Sequence, residues 1–170
     1  MSVIIVKKKN HKYRANLTFN NIDEECLIGR CGIGIKTKEG DGVTPKGKFK
    51  LESVFFRNDK ITALKTCLTK KVIKPSMGWC TDSKNKKYNQ LIKKPYNCIH
   101  EDLFINTSSY DIIISLSFNT QKRVPFRGSA IFLHCIGEQQ ISTEGCIAIR
   151  KDSLIKLVSL ATKSTRLIVA

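Results

Sequence analysis

The sequence predicts a mainly β fold with a loop-rich middle insert and one helix near the C-terminus, followed by a short strand. Three observations carry this. The apolar runs are short and rich in isoleucine and valine, side chains that pack well on a pleated surface and lose rotamer freedom in a helix. Turn residues separate the runs. Only one segment spaces its apolar residues as a helix does.

In chain order, "VIIV" at 3–6 reads as the first strand. "GVTPKG" at 42–47 is a turn by its proline and glycines, and "KFKLESVFF" after it alternates loosely, as a strand does. The stretch 75–110 is polar and irregular and holds the only tryptophan, in "GWCTDSKNKKYN". A long loop-rich insert in a compact β domain commonly serves function. "DIIISLSF" at 111–118, "AIFLHCI" at 130–136 and "CIAI" at 146–149 are further strands. Asp111, opening one of them, is expected to cap or pair. "KDSLIKLVSLAT" at 151–162 places Leu154, Leu157, Val158 and Ala161 on one helical face, with Asp152 as the expected N-cap. "RLIVA" at 166–170 is the closing strand. There is no internal repeat and no low-complexity linker. The length of 170 residues is that of one domain over 1–170, enough to bury a core without staples.

The formal net charge is +16, with 30 Lys and Arg against 14 Asp and Glu. Such a charge attracts polyanions or acidic surfaces and carries no information about fold. Nucleic acid, anionic cell-wall polymer and a generally cationic, solvated surface all remain open on this ground. The opening "MSVIIVKKKN" has no basic segment before its apolar run, so no secretory signal peptide is visible. No apolar run reaches the length of a membrane span.

Seven cysteines stand at 26, 31, 67, 80, 98, 135 and 146. An odd number cannot pair completely. There is no C-x-x-C and no Cys/His pair at zinc-finger spacing, which argues against a structural metal. Neighbouring His134 and Cys135 would point to opposite faces of a strand. Most of the cysteines are expected to be reduced core residues.

One stretch concentrates chemistry: "AIFLHCIGEQQISTEGCIAIR", 130–150. A cysteine nucleophile needs a base within hydrogen-bond reach. If 130–134 and 146–149 are strands, a hairpin-like return through 136–145 sets His134 beside Cys146. Gly145 permits a tight turn on which the N–H groups of 145 and 146 converge, as in an oxyanion hole. Ser142 and Thr143 could orient the imidazole or polarise the turn. Pattern alone leaves the opposite reading open, in which Cys146 is core and His134 a satisfied strand histidine.

"HCIGEQQISTEGCIAI" resembles the active-site segment of the L,D-transpeptidase (YkuD-like) catalytic domain, which carries a His, a short span and Ser/Thr-x-Gly-Cys. "GDGVTPKGKFKL" resembles the same family's Thr-Pro-x-Gly-x-Phe turn and strand. "GRCGIGIKTKEGDGVTPKGKF", "GWCTDSKNKKYN", "YDIIISLSFN" and "RGSAIFLHC" are similar, in that order, to a compact single-domain branch. The resemblance covers roughly 28–150 and implies a β-sandwich. By motif position it makes Cys146 the nucleophile and His134 the histidine, with Gly145 and Thr143 completing the catalytic turn. Glu144 stands where many members have a second histidine, and Ala148 where many have Arg or Asn. Both positions bear on substrate orientation.

The resemblance implies acyl transfer on peptidoglycan stem peptides through a thioester, forming 3→3 cross-links or exchanging the terminal D-amino acid. It implies acylation by carbapenems, no cofactor or metal, and a place in the periplasm or cell envelope. His134 would take the thiol proton, or hold an ion pair with the thiolate, and an imidazolium there would keep the Cys146 thiol below its reference of about 8.5. Arg127 is a candidate carboxylate clamp. Trp79, Tyr88 and Asn89 are candidates for the cleft wall or lid, Trp79 equally for a core plug; Glu144 could repel donor carboxylates or read an ammonium, and Ser142 is a further candidate for substrate binding. A hydrolase of the same fold, a carboxypeptidase or cross-link-cleaving peptidase, would use the same residues. A basic nucleic-acid-binding module is the alternative from another class, but no aromatic-plus-basic stripe supports specific nucleic-acid recognition.

Overall fold

A computed structural model describes residues 2–170. It has fourteen strands: β1 (Val3–Lys8), β2 (Arg14–Phe19), β3 (Ile22–Leu27), β4 (Ile33–Gly34), β5 (Thr44–Pro45), β6 (Gly47–Phe56), β7 (Lys70–Val72), β8 (Met77–Cys80), β9 (Leu91–Lys93), β10 (His100–Asp102), β11 (Ile112–Leu116), β12 (Phe132–Cys135), β13 (Ile147–Ile149) and β14 (Arg166–Val169). The one α-helix, α1, spans Lys151–Leu160, and a 3-10 turn covers Ser108–Tyr110. The fold is mainly β, with a C-terminal helix followed by a strand, as the sequence predicts.

The main sheet runs β11-β12-β13-β3-β2-β1-β14-β6-β7, and β11 also pairs with β6. Long β6 makes this possible. Its residues Gly47–Lys50 pair antiparallel with β14, and Leu51–Phe56 pair antiparallel with β11. The ladder therefore returns to its starting strand and encloses the core. That core gathers Ile4, Leu17, Ile114, Leu133, Ile149 and Leu167, which are fully buried. Strand β2, "RANLTF", alternates half-buried and buried positions, which is the period-2 signature of a strand with one face inward.

Helix α1 covers the core with Leu154, Leu157 and Val158. Its N-cap is Arg150, one residue before the helix, and no side chain caps it. Asp152 lies in the first turn, where a carboxylate suits the helix dipole without capping. Asp111 pairs with Lys60 at 2.8 Å and with Lys151 at 2.9 Å, tying the helix start to β11.

The middle is more ordered than its polarity predicts. Strands β8, β9 and β10 form a separate antiparallel sheet, with Trp79 opposite Leu91 on one side and Glu101 on the other. Three- and four-residue strands are too short to show a period. This sheet packs through Trp79 and Leu103 onto a second apolar cluster with Phe55, Tyr110, Ile113 and Phe132.

The hairpin-like return expected between 136 and 145 is absent. Strands β12 and β13 pair parallel, with Leu133 opposite Ile147 and His134 opposite Ala148. The connection instead travels beside 28–30: Arg30 donates to the Thr143 carbonyl at 2.8 Å, and Thr143 donates to the Ile28 carbonyl at 3.0 Å. This detour returns the chain to the end of the sheet from which β12 started, so the next strand must run parallel.

Candidate active site

Cys146 is the last residue before β13, and His134 is the third residue of β12. The parallel register sets Cys146 level with Phe132, so His134 stands two residues farther along the neighbouring strand and, by the period of two, on the same side of the sheet. Both line a cleft of about 520 Å3, a size that suits a small ligand. Ser142, Thr143 and Glu144 line it from the connection, Lys36 and Glu39 from the loop before β5, and Glu101 and Tyr110 from the opposite wall.

The turn before the cysteine is locked by Thr143. Its hydroxyl accepts the Gly145 N–H at 3.1 Å and donates to the Cys146 carbonyl at 2.6 Å. Thr44 adds a second hydroxyl to that carbonyl at 3.4 Å and accepts the Gly29 N–H at 2.7 Å. Thr143 thus braces the turn and does not orient the imidazole. Of the two N–H groups expected to converge there, that of Gly145 is engaged by Thr143.

The half-buried thiol of Cys146 sits between two main-chain groups. It donates to the Ala130 carbonyl at 3.1 Å, and the Phe132 N–H donates to the sulfur at 3.3 Å. Burial pushes the thiol up to about 12, and the charge of Glu101 adds to this; the Phe132 N–H and the Lys36 ammonium oppose it. His134 is 3% exposed. Burial holds its imidazole down at about 4, against carbonyl contacts from Cys135 and Ser109. Its Nδ1 lies 2.8 Å from the Cys135 carbonyl. A proton on Nδ1 satisfies that carbonyl and leaves Nε2 as the acceptor. The Tyr110 ring stands edge-on to the imidazole at 5.3 Å.

Burial thus favours the neutral thiol and the neutral imidazole, the form in which His134 takes the thiol proton, over an imidazolium–thiolate pair. The physical reason is desolvation: the imidazole is enclosed and the thiol half-buried, and the thiol hydrogen bonds to a carbonyl and not to the ring.

The remaining expected site residues fall into two groups. Ser142 and Glu144 line the cleft. Glu144 is exposed and ion-paired to Arg30 at 3.0 Å. Arg127, Trp79, Tyr88 and Asn89 do not line it. Arg127 is exposed on the loop before β12. Trp79 is a core plug, edge-on to Phe132 at 5.1 Å. Tyr88 is buried, donates to Glu39 and accepts the Gly128 N–H at 2.9 Å. Asn89 is buried behind the wall.

Sequence reasoning missed Lys36, Asp41, Glu39, Glu101 and Tyr110. Lys36 has 2% of its side chain exposed and its Nζ lies 2.6 Å from Asp41. Asp41 also accepts the N–H groups of Thr37, Lys38 and Val43. Despite the cost of burial, these bonds hold its carboxyl down at about 2. The signal was faint: "GDG" reads as a turn, and only contact shows that its acid fixes a buried lysine beside the cysteine. Tyr110 donates to Glu101, whose carboxyl burial pushes upward.

Residues 2–169 match the L,D-transpeptidase catalytic domain, YkuD. The chain belongs to that family. No curated protein matches this YkuD domain. The structure of Bd1075 from Bdellovibrio bacteriovorus is similar at a TM-score of 0.48 and 15% identity, over 99% of this chain and 47% of that one. The chain spans about half the length of that protein.

Gly145 of this YkuD domain has φ +136, and a Cβ there would lie 2.8 Å from the Val43 carbonyl oxygen and 3.2 Å from Ile131. Backbone on one side and core on the other leave no room to yield. Gly145→Ala is therefore expected to lose about 3 kcal/mol of stability in urea unfolding. A loss under about 0.5 kcal/mol would show that the turn relaxes.

Proposed function

We propose that this YkuD domain is a cysteine-dependent L,D-transpeptidase acting on peptidoglycan stem peptides. The observation that carries the reading is Cys146 and His134 on one cleft, at the positions of the family's nucleophile and histidine. The Cys146 sulfur attacks the carbonyl at the L-configured centre of the stem's diamino acid, and Nε2 of His134 takes the thiol proton. A neutral imidazole suits this step, because it can accept a proton as the S–C bond forms. The C–N bond to the terminal D-alanine then breaks, and His134 returns the proton to the leaving amine. A second stem's amine, or a free D-amino acid, attacks the thioester, and the thiol is regenerated.

The rest of the proposal follows from this reading. The whole chain, 1–170, works as one catalytic domain. The cell envelope is its place of action, and the net charge of +16 draws it to anionic wall polymer. Among the described residues no helix is long and apolar enough to cross a membrane.

Incubation with tetrapeptide stems, followed by mass spectrometry of the products, tests the proposal. Release of D-alanine together with 3→3 dimers is the expected result. D-alanine release with only tripeptide would make the protein a carboxypeptidase, the acyl-enzyme going to water. No release from any stem, with salt-resistant and sequence-selective DNA binding, would overturn the enzyme reading.

A further inference from the structure

Asn89 does not line the cleft, yet its side chain holds the backbone of Ala130, which contacts Cys146. It is 3% exposed and has φ +55. Its Oδ1 accepts the Trp79 indole N–H at 3.0 Å and the Ala130 N–H at 3.0 Å. Its Nδ2 donates to the carbonyls of Phe118 at 3.0 Å and Asn119 at 2.8 Å. That is the full capacity of one amide, two donors and two lone pairs. An amide committed four ways inside the protein has one orientation. Its own backbone N–H donates to the Cys80 carbonyl at 2.9 Å, so it is anchored on the β8–β9 sheet.

The residue it grips is unusual. Ala130 has φ +52, in the left-handed region that residues with a Cβ rarely adopt. Ala130 supplies the carbonyl that accepts the Cys146 thiol proton, and Phe132, two residues on, supplies the N–H that points at the sulfur. The carbonyl engages only the thiol, whereas the N–H favours the thiolate. The backbone path through 130–132 therefore sets both the direction of the sulfur and its ease of ionisation. The charged and titratable groups facing the same sulfur are Glu101, Tyr110, Lys36 and His134, on four other elements.

We propose that Asn89 is a positioning residue for the Cys146 nucleophile, acting through Ala130. This rests on the reading of Cys146 as nucleophile, but its test does not need turnover. Asn89→Gly removes the amide and tolerates φ +55. Leu17→Ala, in the other apolar cluster, serves as a control for lowered stability alone. Alkylation of Cys146 by iodoacetamide is followed by peptide mass mapping between about pH 6 and 10, below the thiol's own range.

In Asn89→Gly the Cys146 alkylation rate is expected to fall about tenfold, with the profile displaced upward by about one unit. Turnover should lose kcat with KM nearly unchanged. Leu17→Ala should unfold more easily and keep the natural profile. An unchanged alkylation profile in folded Asn89→Gly overturns the proposal. Should that variant not fold, the natural chain decides: the Asn89 side-chain amide and Ala130 N–H resonances are expected to shift when Cys146 is alkylated, and no shift overturns it. Absence of turnover in the natural chain would count against the nucleophile reading alone.

Discussion

Cys146→Ala is expected to lower acyl transfer by at least about 10^3-fold, because no other group can form the thioester. The fold should survive. Cys146 is half-buried at the edge of the Trp79 and Phe132 cluster, and removing one sulfur there should cost about 1 kcal/mol. A carbapenem reports this directly. The natural chain should gain one adduct on Cys146, and Cys146→Ala none. The other six cysteines give a stringent background. Cys31 and Cys67 are exposed and Cys98 is half-buried, while Cys26, Cys80 and Cys135 are enclosed. Burial raises the thiols of Cys26 and Cys135 to about 12 and about 11. Exposed thiols will meet any simple alkylator, but only a thiol in a site with a base and a shaped cleft should open the lactam. An adduct that persists in Cys146→Ala would reject the assignment.

His134→Gln is expected to slow acylation by about 10^2- to 10^4-fold, the usual worth of a positioned base. It also has a signature in pH. Since burial holds the imidazole at about 4, the base form should persist well below neutrality. The acid limb of acylation should then centre near pH 4, and a limb centred at the ordinary 6.5 would contradict it. The same shift bears on stability. In the unfolded chain the imidazole takes a proton at about 6.5, whereas the folded site resists it until about 4. The folded pKa is depressed, so this contribution is fully present above 6.5 and is lost as pH falls to 4. The natural chain should lose about 3 kcal/mol across that window relative to His134→Gln. Equilibrium unfolding of both proteins at pH 7 and pH 4 measures the difference. Equal losses in the two would place His134 in contact with solvent.

The legible parts were those written in adjacent residues. Runs such as "DIIISLSF" announce strands because β-branched side chains repeat within reach of one another. His134 and Cys146 were legible because a motif lies in a single stretch. The parallel pairing of β12 and β13 was not, since it depends on the connection borrowing hydrogen bonds from Ile28 and Arg30, more than a hundred residues earlier in the chain. Lys36 and Asp41 look like one more charge pair in a lysine-rich chain until burial singles them out. Asn89 was read as a wall residue because polar loops over clefts often touch ligands. Its four hydrogen-bond partners come from three separate segments, and no spacing rule joins them. Arg127 was chosen for its chemistry, but chemistry without direction does not place a guanidinium. The upward push of burial on the Cys146 thiol was not legible for a related reason: residue types do not reveal how much water remains around them.

Strand β6 serves three partners, and one of them, β14, lies more than a hundred residues later in the chain. β1 and β14 also run side by side, with Val3 opposite Arg166 and the Ser2 and Thr165 hydroxyls 2.6 Å apart. A ribosome delivers β1 more than 150 residues before β14. Until residues 166–169 emerge, β1 and the first half of β6 expose unsatisfied edges, which invite pairing with other chains. Closure then joins contacts of very long sequence separation, so folding belongs to the slow class of β topologies. The nascent protein depends on being kept apart from its neighbours for as long as its last strand is missing.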